Sequence, residues 1–206
     1  MASRDWLATV IILVYSGFSA IKIHYELRAR RLGEPTVIRE SRPYAVLLAA
    51  FICYEVATLA VYLFAPQWIA WADLPLQPGL RWLGASICLL TLPWFAWVHR
   101  VLGHNFSTTL NIRANHTLVT TGPYRWVRHP MYTAFYVLHV ATILATANLF
   151  LGLTWLAGLI VVITLRVERE EAMMIRQFGQ AYRAYMERTG RFLPRIPRRV
   201  GSRETA

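Results

Sequence analysis

The chain has 206 residues, is 56% hydrophobic with a mean hydropathy of +0.36, and carries a net charge of +11. A soluble core helix seldom stays apolar on every side for the roughly 20 residues that cross about 30 Å of hydrocarbon, and this chain does so repeatedly, which excludes an ordinary soluble enzyme. The basic excess suggests a nucleic-acid partner, but its placement along the chain argues against one.

Five apolar runs, residues 6–23, 44–64, 80–98, 131–147 and 149–165, each predict a spanning helix. The first has no basic start beyond Arg4 and no clear small-residue cleavage site, so it reads as a span rather than a signal peptide. A basic loop, 26–43, follows it. Pro66, Pro75, Pro78 and Gly79 then make a short, nearly neutral loop on the other side, and Pro93 predicts a kink inside the third span. The last two runs, separated only by Asn148, read as a tight helical hairpin.

With five spans, all of the 22 Lys and Arg residues except Arg4 and Arg81 fall on one face. That is the positive-inside pattern, so the N-terminus is expected outside and the C-terminus in the cytoplasm. Attraction to anionic membrane lipids follows from the same charges. Cys53 and Cys88 lie within spans and read as packing residues.

Two cytoplasmic segments hold the unusual residues. Residues 99–130 mix hydroxyls, amides, histidines and Gly/Pro turn signals, which suits irregular backbone shaped around a ligand. Pro130 suits the first position of the fourth span, which places His129 at the helix entrance beside exposed N–H groups. Across 166–195, Val167, Glu171, Met174, Phe178, Tyr182 and Tyr185 recur at helical spacing, so one face is apolar except for Glu171. Gly179 suits a bend there, and Gly190 with Pro194 the end. A carboxylate on such a face needs a partner. Arg166 or Arg169 would serve, or a ligand that Glu170 also contacts.

Glu55 in the second span is an intramembrane carboxylate, either touching a substrate head group or pairing with a hydroxyl or arginine. His139 reads as a hydrogen-bonded packing residue. His99 and His104 are poorly spaced for a shared metal, and none is expected. The glycines form no G-x-G cradle, so a nucleotide-binding α/β domain is not expected. The regions are then 1–98, three spans; 99–195, the catalytic part; and 196–206, a basic tail.

The run G-P-Y-R-W-V-R-H-P-M-Y at 122–132 is followed, after two spans, by R-x-x-x-E-E at 166–171 and F-G-x-x-Y-x-x-Y at 178–185. With the stretch 116–122 and the Asn105-Phe106-Ser107 element, this resembles the isoprenylcysteine carboxyl methyltransferase and phospholipid N-methyltransferase superfamily. The resemblance implies an all-α polytopic membrane enzyme of about five spans that uses S-adenosylmethionine. The cofactor would lie between the segment before the fourth span and the helix after the fifth. His116, Leu118 and Val119 would frame its adenosyl part, and Gly122, Tyr124, Arg128, His129, Pro130 and Tyr132 would line the pocket. Glu170 and Glu171 would close it, Arg166 would face the substrate, and these three with His129 form the expected catalytic set.

The expected acceptor is lipid-like or prenylated, methylated at a carboxylate, with a phospholipid amine or a thiol as alternatives. An amine or thiol would need a base such as Glu170, Glu171 or His129. A sterol-type reductase using NADPH is the rival enzyme, disfavoured because its phosphates would meet Glu170 and Glu171. A small transporter is the non-enzymatic rival, with only Glu55, His139 and a few hydroxyls at mid-membrane to support it.

Overall fold

The computed structural model describes residues 2–31, 42–105 and 117–195. They form helices joined by short turns, with no strand among the described residues: α1 (Ala2–Arg31), α2 (Arg42–Phe64), α3 (Pro78–Leu102), α4 (Pro130–Thr146), α5 (Leu149–Phe178) and α6 (Gln180–Arg188). All five apolar runs become helices. Four of them, α1, α2, α3 and α5, contain stretches long and apolar enough to cross a membrane, whereas α4 is a shorter apolar helix. Its 17 residues rise about 25 Å, slightly less than the hydrocarbon thickness. Large apolar side chains such as Leu13, Val56, Leu90, Leu153 and Val161 are exposed, as expected where the solvent is lipid. The chain is a multi-pass membrane protein.

Several apolar clusters hold the helices together. Val14 and Phe18 of α1, Cys88 and Phe95 of α3, and Ala134, Leu138 and Ala141 of α4 form one cluster. Tyr132, Leu159, Ile163 and Val167 form another between α4 and α5. Gly84 permits a close approach of α3 to α4, since a Cβ there would lie 2.6 Å from the backbone nitrogen of Ala145. Pro93 sits inside α3 without interrupting it.

Local chemistry sets the helix ends. Pro130 opens α4 at its first position, where no N–H is required. The expected hairpin turns at Ala147, in the left-handed conformation, and Asn148. The Asn148 side chain accepts from the N–H of Leu151 at 3.0 Å and donates to the carbonyl of Ile69 and the carboxylate of Asp73, both at 2.8 Å. One buried amide therefore caps α5 and ties the hairpin to the loop between α2 and α3.

The fifth helix differs from expectation. It does not end near residue 165 but runs unbroken for 30 residues to Phe178, so the membrane span and the segment bearing Arg166, Glu170 and Glu171 are one rigid rod. Gly179, at φ 53°, separates it from α6 rather than bending a single helix.

Candidate active site

Two backbone segments distant in sequence are joined beside the end of α5. After the turn Gly122–Arg125, the N–H of Arg128 donates to the carbonyl of Gly190 at 2.9 Å, and that of His129 to Arg191 at 3.0 Å. The Thr133 hydroxyl donates to the carbonyl of Phe192 at 2.8 Å. From α6, the Tyr185 hydroxyl donates to the carbonyl of Tyr124 at 2.6 Å. Burial pushes that phenol up to about 12, so it remains a neutral donor. The stretch 190–192 thus braces the entrance of α4.

On this frame, cations surround two carboxylates. Glu171 accepts from Arg128 Nε at 2.9 Å and from Arg191 Nη2 at 2.5 Å, and its Oε1 lies 3.2 Å from His129 Nε2. Glu170 accepts from the Tyr132 hydroxyl at 2.8 Å and from Arg166 Nε at 2.7 Å, with His129 Nδ1 3.5 Å from its other oxygen. Arg128 also reaches the carbonyls of Met186, at 3.2 Å, and Thr189. The imidazole of His129 lies along the ring of Tyr132, with centroids 5.5 Å apart.

Burial opposes charging His129, but hydrogen bonds to Glu170 and Glu171 outweigh it and raise the imidazole above its ordinary value. With a carboxylate at each nitrogen, the protonated ring is the form that satisfies both. Glu171 is only 5% exposed and Arg128 9%, whereas Arg191 is 41% exposed and forms the open edge of the cluster. Fixed cations, carboxylates and aromatic faces within one cluster suit a small zwitterionic ligand.

The structure brings Tyr124, Arg128, His129, Pro130, Tyr132, Arg166, Glu170 and Glu171 together. The partner of Glu171 is neither Arg166 nor Arg169: it is the Arg128–His129–Arg191 group, while Arg166 pairs with Glu170. The His129 side chain turns to the two carboxylates rather than capping its own helix. Gly122, at φ 57°, begins the turn that carries Tyr124, and Leu118 and Val119 are half-buried in the stretch leading to it. His116 lies outside the described residues, as do Phe106 and Ser107. Asn105 anchors this stretch, accepting from the N–H of Thr117 at 2.9 Å.

Glu55 stands apart from the cluster, paired at 2.8 Å with His139, whose other nitrogen meets the carbonyl of Phe135. Two participants escaped the sequence reading. Arg191 was one of many basic residues near the C-terminus, and Tyr44 only the first residue of a span. The Arg166 guanidinium carbon lies over the Tyr44 ring, 5.5 Å from its centroid.

The model of the isoprenylcysteine carboxyl methyltransferase (ICMT) family matches residues 83–176, which carry most of this cluster. Over those residues the chain is similar to that family. It is 28% identical over 176 residues to the protein-S-isoprenylcysteine O-methyltransferase of Rattus norvegicus, covering 80% of this chain and 61% of that protein. The Homo sapiens protein of the same name gives 28% over 177 residues with the same coverage, and that of Dictyostelium discoideum 31% over 144 residues, 65% of this chain and 58% of that one. The chain therefore spans about 61% of the length of these mammalian relatives. The solved structure of the eukaryotic intramembrane Ras methyltransferase ICMT superposes with a TM-score of 0.54 at 23% identity, covering 91% of this chain and 68% of that one. The likeness to that structure extends the shared helical fold well beyond the family-matched residues, into α1 and α2.

Proposed function

We propose that this chain is an S-adenosylmethionine-dependent membrane methyltransferase acting on the carboxylate of an amphiphilic, isoprenylcysteine-like acid. The observation that carries this reading is the row Arg166–Glu170–His129–Glu171–Arg128, set where the apolar run of α5 gives way to charged residues beside the entrance of α4.

The donor set fits the cofactor. Glu170 and Glu171 suit its ammonium, sulfonium or ribose hydroxyls, Arg128 and Arg191 suit its carboxylate, and the rings of Tyr132 and Tyr124 supply aromatic surface. When bound, the cofactor supplies an already activated methyl group. What remains for the chain is to align the acceptor and exclude water. The bilayer-facing helices keep the acceptor's tail in lipid, while the guanidinium of Arg166 orients an anionic head.

The charge states favour a carboxylate over an amine or thiol. A carboxylate is nucleophilic at neutral pH without a base. His129, raised and held between two carboxylates, is poorly placed to accept a further proton, and Glu170 and Glu171, flanked by cations, are weak bases. The concentration of Arg and Lys on one face of the helices supports a cytoplasmic site, with the N-terminus outside.

The test uses the detergent-purified chain. Calorimetry with S-adenosylhomocysteine and with NADPH should show binding of the first only, and binding of NADPH alone would overturn the reading in favour of a reductase. Labelled cofactor is then offered with a farnesylated cysteine acid, phosphatidylethanolamine or a short-chain thiol. Methylation of the farnesylated acid alone is expected. Arg166→Lys should impair turnover far more than cofactor affinity, because lysine keeps the charge but loses the planar fork.

A further inference from the structure

α2 carries none of the motifs in the family resemblance, yet it runs antiparallel to α5 along one regularly spaced face. Tyr44 lies by Arg166, Phe51 lies where a Cβ on Gly158 would be, and Thr58 accepts from the indole of Trp155 at 2.7 Å. Positions 44, 51 and 58 repeat every two helical turns, so they share one stripe. Between them, Glu55 binds His139 of α4 at 2.8 Å. A helix pinned at these levels holds its first turn, and the buried ring of Tyr44, in a defined place over Arg166.

Contacts of two kinds among the described residues therefore constrain the Arg166 guanidinium. The Glu170 carboxylate takes its Nε at 2.7 Å, and the Tyr44 ring lies against the group as an aromatic partner for the cation. We infer that Tyr44 is a positioning residue that holds the Arg166 fork in the orientation that receives the acceptor's carboxylate, so that α2 contributes directly to acceptor selection. A planar fork held still recognises a planar anion, whereas one free to rotate presents only a charge. The inference rests on the carboxyl methyltransferase reading above and adds the acceptor-side residue that the motifs leave out.

The experiment compares Tyr44→Leu and Tyr44→Phe with the wild-type full chain in detergent. KM and kcat are measured with a farnesylated cysteine acid, and S-adenosylhomocysteine affinity is measured by calorimetry. Tyr44→Leu should raise the acceptor KM about five- to ten-fold, the range a desolvated cation–π contact supports, with cofactor affinity within about two-fold. Tyr44→Phe keeps the ring and should rescue the KM. An unchanged acceptor KM in Tyr44→Leu, an equal loss of cofactor affinity, or a Phe variant as poor as the Leu variant would each overturn the inference while leaving the methyltransferase reading intact. A wild-type protein that methylates only the neutral thiol, or binds no S-adenosylhomocysteine, would defeat both together.

Discussion

Arg128 donates from Nε to Glu171 at 2.9 Å, linking the segment before α4 to the end of α5 across 43 residues of sequence. The same guanidinium reaches the carbonyls of Met186 and Thr189, so this one side chain ties both to the C-terminal end of α6. The Glu171 carboxylate is the hub: Arg128, Arg191 and His129 all converge on it.

Replacing that hub leaves three cations facing a neutral amide. Glu171→Gln should weaken S-adenosylhomocysteine binding ten-fold or more and destabilise the fold by roughly 1.5–3 kcal/mol, the range for hydrogen bonds to charged groups. His129→Ala should weaken binding similarly. Calorimetry and thermal unfolding in detergent read the two effects, and wild-type affinity in folded variants would remove these residues from the cofactor site.

The pH dependence follows from His129. Its folded-state value is raised, so its pairing with Glu170 and Glu171 contributes fully below the ordinary imidazole value of about 6.5 and is lost as pH rises through the higher folded value. Thermal stability should therefore fall as pH rises above about 6.5, and His129→Gln should flatten that fall. A midpoint that keeps the same alkaline slope in the variant would assign the loss to another group.

Gly84 offers a test of the helix packing. A methyl group there would meet the backbone nitrogen of Ala145 at 2.6 Å and the carbonyl of Ala141 at 2.8 Å, atoms that cannot rotate away. Gly84→Ala should lower stability by about 1–3 kcal/mol, although alanine is the better helix former. Gly79→Ala, with open space around it, should be nearly neutral by the same thermal assay.

Orientation is tested by labelling. In a background with Cys53 and Cys88 changed to alanine, Gln77→Cys at the start of α3 and Arg183→Cys on α6 both present exposed positions. An impermeant thiol reagent on intact cells should label position 77 and spare 183. The reverse pattern would put the cluster on the opposite face of the membrane.

Much of this protein was legible one residue at a time. Apolar runs long enough for a bilayer, Pro130 at a helix start and Asn148 at a hairpin all act locally, and the structure shows the helices where these signals put them. The motif residues of the cluster were legible too, because they lie in compact segments. Who pairs with whom was not. Nearness in sequence offered Arg166 or Arg169 to Glu171, but charge pairing between elements depends on how α4, α5 and the chain after α6 meet. That meeting brought Arg191 to Glu171, and the packing of α2 against α5 and α4 brought Tyr44 to Arg166 and Glu55 to His139. The continuous rod of α5 has a local cause instead. No proline or glycine interrupts it where the apolar run ends, so the backbone hydrogen bonds continue from lipid into the polar cluster.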